Sequence, residues 1–255
     1  MKTILITGAT GSIGQALAEC YANKHTQLIL TGRNEEKLNA ARLNCEKKGA
    51  NVVIKTLDIC DQSAFIEWVS DIDKTYPIDI VIANAGINST IASKESENNF
   101  EVTKKIFDTN VYGVLATITP LIERMKQQKC GQIAIISSLA AYRGLPQSAA
   151  YCASKAAIKV YGESLRAYLA VYNIKVNVIC PGFVKSAMSD SLQGPKPFMI
   201  SAAKAAKIIK KGLAKNKGRI AFPSVLSIPT WLATLLPNRF IDFLLRKTAR
   251  NNSKA

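Results

Sequence analysis

Apolar positions along this chain fall into short runs separated by stretches with helical spacing. The runs 3–6, 27–31, 52–54, 78–82, 133–136, 175–179 and 219–222 are each rich in Ile, Val and Leu and read as strands. Between them, apolar residues return every three or four positions, as at Ala16, Leu17, Cys20 and Tyr21, and predict helices. A long helical pattern starts near Tyr151 and runs to 170, and Ser201 is placed to N-cap a helix through Leu213. Residues 187–200, with Gly194, Pro195 and Pro197, read as a loop. Regular alternation of strand and helix, with no internal repeat or linker, predicts an α/β fold: a single domain built on a doubly wound parallel sheet. That domain is expected over 1–222, with an apolar and basic extension over 223–255.

Composition removes several function classes. The lone His25 allows neither a histidine metal cluster nor a Ser-His-Asp triad, and no metal site is expected. The six cysteines are scattered without a C-x-x-C pair and read as reduced cytosolic thiols. The chain runs from Met1 almost directly into a strand, so no targeting peptide is expected and the placement expected is cytoplasmic. The net charge of +16 is uneven: residues 196–255 hold thirteen Lys/Arg against one acid, Asp242, a net +12. Such a patch suits an acidic membrane or an anionic substrate, or simply solubilises the surface. Nucleic acid is not expected, because aromatic residues are not interleaved with the basic ones.

Candidate chemistry sits at the ends of the predicted strands. After the first comes Thr7-Gly8-Ala9-Thr10-Gly11-Ser12-Ile13-Gly14 and then a helix, the setting that a dinucleotide fingerprint requires. Glycines there let the backbone approach a pyrophosphate, and the helix N-terminus supplies N–H donors. The second strand ends in Gly32-Arg33-Asn34, with no acid for ribose hydroxyls before Glu35. Arg33 offers a guanidinium for a 2′-phosphate instead, which favours NADP(H) over NAD(H), the latter being admissible. Asp58-Ile59 follows the third strand, where Asp58 could meet an adenine amino group, and Asn84-Ala85-Gly86 follows the fourth with small side chains that let a cofactor lie against backbone. Asn110 is a poor helix former within an apolar helical stretch; it either caps a kink or carries function. Ser138 ends the fifth strand. Tyr151 and Lys155, four apart, share one helix face, so an ammonium next to a phenol would lower a pKa of about 10 toward working pH, where the phenol acts as general acid/base. A solvated surface pair is the bland alternative. The sixth strand delivers Pro181-Gly182, then Val184 and Ser186.

Taken together over about residues 3–186, these motifs resemble those of the short-chain dehydrogenase/reductase family, of the compact Asn-Ser-Tyr-Lys type. The resemblance implies a Rossmann-like fold and a nicotinamide cofactor touched by Gly8, Thr10, Gly11, Ser12, Ile13, Gly14, Arg33, Asn34, Asp58, Ile59, Asn84, Ala85, Gly86, Tyr151, Lys155, Pro181, Gly182, Val184 and Ser186. It implies a catalytic tetrad of Asn110, Ser138, Tyr151 and Lys155. Tyr151 would exchange a proton with the substrate oxygen and Ser138 would position that oxygen. Lys155 would bind the nicotinamide ribose and lower the Tyr151 pKa, and Asn110 would support a proton-relaying water. Ser186 would contact the nicotinamide amide. Homodimers or homotetramers are also implied. One residue departs from the compact pattern: Ser12 stands where T-G-x-x-x-G-x-G has its middle glycine, with Gly11 just before it.

The extension carries an apolar run interrupted by prolines, too short for a membrane span of about 20 residues. Phe240, Ile241, Phe243, Leu244 and Leu245 then form an apolar helical stripe ending in Arg246-Lys247. That composition suits an interfacial anchor on the inner face of a membrane, or a helix packed on the domain or on a second subunit. An anchor would favour a lipid-like substrate. The reading these features support is an NADP(H)-dependent oxidoreductase interconverting a carbonyl and an alcohol, with residues 184–200 shaping the substrate side. The alternatives are a nicotinamide-dependent epimerase or dehydratase, and a non-catalytic redox-sensing or partner-binding protein on the same fold.

Overall fold

The computed structural model describes residues 1–88, 99–146, 148–192 and 194–241. These form one seven-stranded parallel sheet in the order β3-β2-β1-β4-β5-β6-β7. The strands are β1 (Lys2–Thr7), β2 (Thr26–Gly32), β3 (Asn51–Thr56), β4 (Ile80–Ala83), β5 (Gly131–Ile136), β6 (Ile174–Pro181) and β7 (Arg219–Phe222). The chain starts in the middle, winds outward through β2 and β3, then returns to lay β4 on the other side of β1. That reversal between β1 and β4 opens a crevice at the carboxyl ends of the strands, where sheets of this kind bind ligands. The expected doubly wound sheet is thus the observed one, and all seven expected strands are present, most of them a residue or more longer than the apolar runs.

Near-continuous apolar strands form because both faces are covered. Ile4, Ile6, Leu28, Leu30, Ile80 and Ile82 face one layer, made by α1 (Ser12–Tyr21), α2 (Glu35–Glu46) and α8 (Ala202–Ala214). Leu5, Ile29, Val81, Ile133, Ile135 and Val176 face the other, made by α3 (Gln62–Thr75), α5 (Gly113–Gln128) and α6 (Ala149–Leu169). Alternate residues of each strand go to opposite layers, as the pleat requires. Full burial of one Ile or Leu contributes about 1.5–3 kcal/mol, so these two layers outweigh any local propensity.

Helix ends follow side-chain capping. Asn34 accepts from the Lys37 N–H at 2.8 Å at the head of α2, and Ser201 accepts from the Lys204 N–H at 3.2 Å at the head of α8, as expected. Two boundaries differ from expectation. Helix α6 begins at Ala149, so Tyr151 lies inside its first turn. The stretch expected to be a loop from 187 opens with a short helix, α7 (Ala187–Asp190), because Ser186 and Ser189 cap each other reciprocally. After β7, helix α9 (Ser224–Leu232) runs through Pro229 and passes into a 3₁₀ turn, Ala233–Leu235. Of the expected apolar stripe, Phe240 is exposed and Ile241 buried, while Phe243, Leu244, Leu245, Arg246 and Lys247 lie outside the described residues.

Candidate active site

The crevice between β1 and β4 is held by short polar contacts. Gly8 adopts a left-handed φ of +64°, and a Cβ there would lie 2.8 Å from the Ala85 Cα. A Cβ on Gly14 would lie 2.3 Å from the Gly8 carbonyl oxygen. Both positions therefore need glycine, whereas at Gly11 the nearest atom would be at an ordinary 3.4 Å. Ser12 is simply the first residue of α1, which resolves its departure from the glycine pattern: the tight contacts rest on Gly8 and Gly14. Asn84 locks the turn, its Nδ2 donating to the carbonyls of Thr7 (3.0 Å) and Gly8 (3.1 Å). Thr7 Oγ1 accepts in return from the N–H groups of Asn84 (3.0 Å) and Ala85 (3.1 Å). Helix α1 starts at this cradle with neither a side-chain cap nor an acid in its first turn, leaving its N-terminal donors and positive dipole end for an anion. Thr10 borders Gly32, and Ile13 packs partly against the core. A cradle that only glycine fits, at a helix N-terminus, suits a dinucleotide pyrophosphate.

The outer rim lies beyond β2 and β3. Arg33 Nη1 is 3.9 Å from Asp58 Oδ2, with both side chains about half exposed. Asp58 also accepts from the Cys60 N–H, and Ile59 is buried against Gly113. Asn34, expected near the same ligand, instead spends its side-chain oxygen on capping α2.

Asn110, Ser138, Tyr151 and Lys155 converge on the other side of the crevice. The helix entering from α4 (Phe100–Phe107) widens into a single π-turn, Asp108–Tyr112, before continuing as α5. Asn110 sits in that turn, fully buried. Its Oδ1 accepts from the Ile87 N–H (2.8 Å), and its Nδ2 donates to the Ile87 carbonyl (2.9 Å) and to Ser154 Oγ (3.0 Å). The residue thus ties the π-turn both to the segment after β4 and to α6. Lys155, 4% exposed, donates from Nζ to the Ile136 carbonyl at 3.1 Å. A Cβ on Gly86 would lie 3.0 Å from that Nζ and 3.1 Å from Asn110 Oδ1, so Gly86 leaves both side chains room. Ser138 accepts from the Ala140 N–H (3.1 Å), and its hydroxyl also hydrogen-bonds Tyr151. In the turn after Ser138, the Tyr142 ring is approached by two cations, Lys159 Nζ at 5.2 Å from its centroid and the Arg219 guanidinium at 5.5 Å. Glu163 pairs with both cations.

Electrostatics here differ from the expectation. Tyr151 is half-buried, with protein packed closely around its phenol. Burial pushes its phenol up from the usual range, with hydrogen bonding to Ser138 acting against that and the Cys152 thiol adding to it. Burial likewise brings Lys155 down to about 8. The Lys155 Nζ is 5.9 Å from the Tyr151 ring centroid. Two groups enclosed side by side both resist ionisation, so desolvation outweighs the mutual attraction that spacing on a helix suggested.

On the remaining side, Pro181 ends β6 and Gly182 donates to the Phe222 carbonyl at 2.7 Å. Val184 is buried and bridges to Ile200, and Ser186 Oγ is engaged in capping α7. Beyond Thr7, which opens the glycine turn, two residues not expected from the sequence complete the frame. Ser137 donates to the Lys155 carbonyl (2.8 Å), and Ser154 donates to the Tyr151 carbonyl (2.8 Å). Each is a small polar residue at the end of an apolar strand or beside Lys155 on its helix, a signal available in the sequence.

The family model described as short chain dehydrogenase matches residues 2–196. A Myxococcus xanthus protein described as an uncharacterized oxidoreductase is 34% identical over 96% of this chain and 97% of its own. A 3-oxoacyl-[acyl-carrier-protein] reductase of Rickettsia felis is 37% identical over 75% of this chain and 76% of its own. Among solved structures, a short-chain dehydrogenase from Sphingobium yanoikuyae in complex with NADPH superposes with a TM-score of 0.81 at 20% identity, covering 91% of this chain and 92% of its own. A 3-oxoacyl-[acyl-carrier protein] reductase from Brucella melitensis with bound NAD gives 0.76 at 24% identity, covering 89% and 91%.

Proposed function

This chain belongs to the short-chain dehydrogenase/reductase family of NAD(P)-dependent oxidoreductases, and from that premise we propose that it interconverts a carbonyl and an alcohol with NADP(H) on a hydrophobic, lipid-like substrate. The observation that carries the reading is the convergence of Ser138, Tyr151, Lys155 and Asn110 beside the glycine cradle. The bound nicotinamide supplies or accepts the hydride. Everything else falls to the chain. Gly8, Gly14 and the head of α1 hold the pyrophosphate, and Arg33 takes the 2′-phosphate at the rim, with Asp58 beside it to hold the guanidinium in place. Ser138, hydrogen-bonded to Tyr151, donates its hydroxyl proton in a hydrogen bond to the carbonyl oxygen when substrate is bound. Tyr151, which burial keeps protonated, gives that oxygen its proton in the reducing direction. Lys155 binds the ribose from its slot beside Gly86, and Asn110 braces the π-turn against α6.

The Rickettsia felis relative acts, by its name, on a 3-oxoacyl group, a carbonyl on an acyl chain, and that is the substrate class favoured here. The reading includes assembly as a homodimer or homotetramer, and peripheral contact with the inner face of a membrane through the C-terminal segment. The test is titration with NADPH and NADH followed by nicotinamide fluorescence, for wild type and Arg33→Ala, together with turnover of a 3-oxoacyl thioester by wild type and Tyr151→Phe. NADPH binding that collapses in Arg33→Ala, and turnover lost in Tyr151→Phe with NADPH binding intact, are the expected results. Equal or tighter NADH binding overturns the cofactor preference, and retained turnover in Tyr151→Phe overturns the role given to that phenol.

A further inference from the structure

A surface helix ordinarily turns its apolar stripe inward. Helix α9 does the reverse. Leu226, Ser227, Thr230 and Ala233 lie on the half-covered side, which packs through Leu226 toward Leu139 and Gly182. The opposite side carries Val225, Ile228 and Leu232, which are 49%, 56% and 47% exposed. Trp231 and Leu235 extend it at 47% and 69%, and beyond the turn Phe240 is also exposed. None of the residues of α9 is buried. Exposed apolar side chains are commonplace singly, but a continuous set along one helix face marks an interaction surface.

Charge decides between partners. Residues 223–255 hold five basic side chains, Arg239, Arg246, Lys247, Arg250 and Lys254, against one acid, Asp242. A second copy docking on this face by two-fold symmetry would bring together two chains of net charge +16, each with an exposed Arg239 beside Phe240. An anionic bilayer meets both properties at once, accepting the apolar side chains below its headgroups and the basic ones among them. No described helix is long and apolar enough to cross a membrane, so the contact is one of lying on the surface. Trp231 suits that depth, since an indole has an apolar body and a polar N–H.

We infer that the outward face of α9 and the turn after it form a docking surface for an anionic lipid bilayer, set at the mouth of the candidate active site. This deepens, and rests on, the reading of a reductase for lipid-like substrates. Leu226 and Pro223 abut Gly182, and Arg143, in the segment after Ser138, donates to Asn238 at 2.9 Å. Docking would thus bring the crevice to the bilayer surface, where an acyl-chain substrate could pass between membrane and site with little of its tail exposed to water.

The experiment uses the full chain with Trp68→Phe, which leaves Trp231 as the single indole. The protein is mixed with vesicles of phosphatidylcholine alone or of phosphatidylcholine with phosphatidylglycerol, and flotation, Trp231 emission and NADPH binding are recorded. Flotation with the anionic vesicles about tenfold tighter than with the neutral ones, weakened by salt, with a blue shift of Trp231, is expected. Ile228→Asp with Leu235→Asp should abolish flotation while NADPH binding stays unchanged. Absence of flotation, or flotation indifferent to lipid charge and salt, overturns the inference. So does a Trp231 emission already blue without lipid, whether deletion of 242–255 reverses it (the chain's own tail as occupant) or Ile228→Asp does so while dissolving a dimer (a second copy as occupant). If NADPH binds and a thioester turns over while vesicles are ignored, only this inference falls; if NADPH does not bind, the functional reading beneath it falls.

Discussion

Lys155 carries a proton-linkage signature that can be read without any substrate. Burial brings its ammonium from 10.5 to about 8 in the folded chain. Between those values the unfolded chain still holds a proton that the folded chain has released, so folding stability climbs with pH across that window. Below it the cost of enclosing the charge is present in full. Lys155→Met removes that cost together with the bond to Ile136. The stability of the variant relative to wild type should therefore be greatest near neutral pH and fall by about 3 kcal/mol as pH rises through the window. Denaturant unfolding of both proteins across pH measures it, and a difference that does not vary with pH would refute the linkage. The glycines offer a second test at this scale. Gly14→Ala presses a methyl onto the Gly8 carbonyl, a backbone atom that cannot swing away, and should weaken NADPH binding by roughly tenfold or more at a stability cost of about 1–3 kcal/mol. Gly11→Ala has room and should leave NADPH titration curves nearly unmoved. The spacing of the glycines was plain in the sequence. Which of them is obligatory was not, because at Gly8 the answer depends on Ala85, far along the chain and unreadable as a neighbour. The same limit applies to the Tyr151–Lys155 pair: the helical register was legible, but not the depth that makes desolvation prevail.

Among the elements, the π-turn at Asp108–Tyr112 is the one that local propensity did not foretell. Asn110 stood out as an odd residue within a helix, but the turn depends on Ile87, whose N–H and carbonyl both need its amide. Asn110→Ala would leave those two buried backbone groups unpaired and should destabilise the protein by about 2–5 kcal/mol. Ser154→Ala removes one hydrogen bond to that amide and one to the Tyr151 carbonyl, and should cost about 1–2 kcal/mol. Urea titration of the two variants separates the cases. Equal and small losses would mean that the π-turn is held by packing instead. Helix starts are easier to foresee where a side chain caps them, as at Ser201; the start of α6 has no such side-chain bond, and it begins two residues before the expected Tyr151. At α9 the apolar content was visible, but a periodic stripe does not say which way it faces.

At the scale of the whole molecule, the crevice joins the two halves of the sheet, so a ligand held there stabilises both. NADPH at about a hundred times its dissociation constant should add about 2.7 kcal/mol. Thermal unfolding should shift upward with NADPH in wild type and much less in Arg33→Ala, while the smaller shift with NADH should be the same in both. A shift with NADPH that survives the substitution would remove Arg33 from the binding account. The architecture was legible because a parallel sheet buried on both faces imposes the same apolar runs on every strand, whatever the loops do. The strand order has a further consequence for how the protein is made. As synthesis proceeds, the open edge passes from β1 to β4, β5 and β6 in turn, each strand being covered only when the next is complete. An uncovered edge is a template for the wrong partner, so every pause in translation after β1 leaves a sticky strand on the ribosome. The sequence closes that exposure with β7, an edge only four residues long that opens on Arg219, which leaves little strand for another chain to pair with.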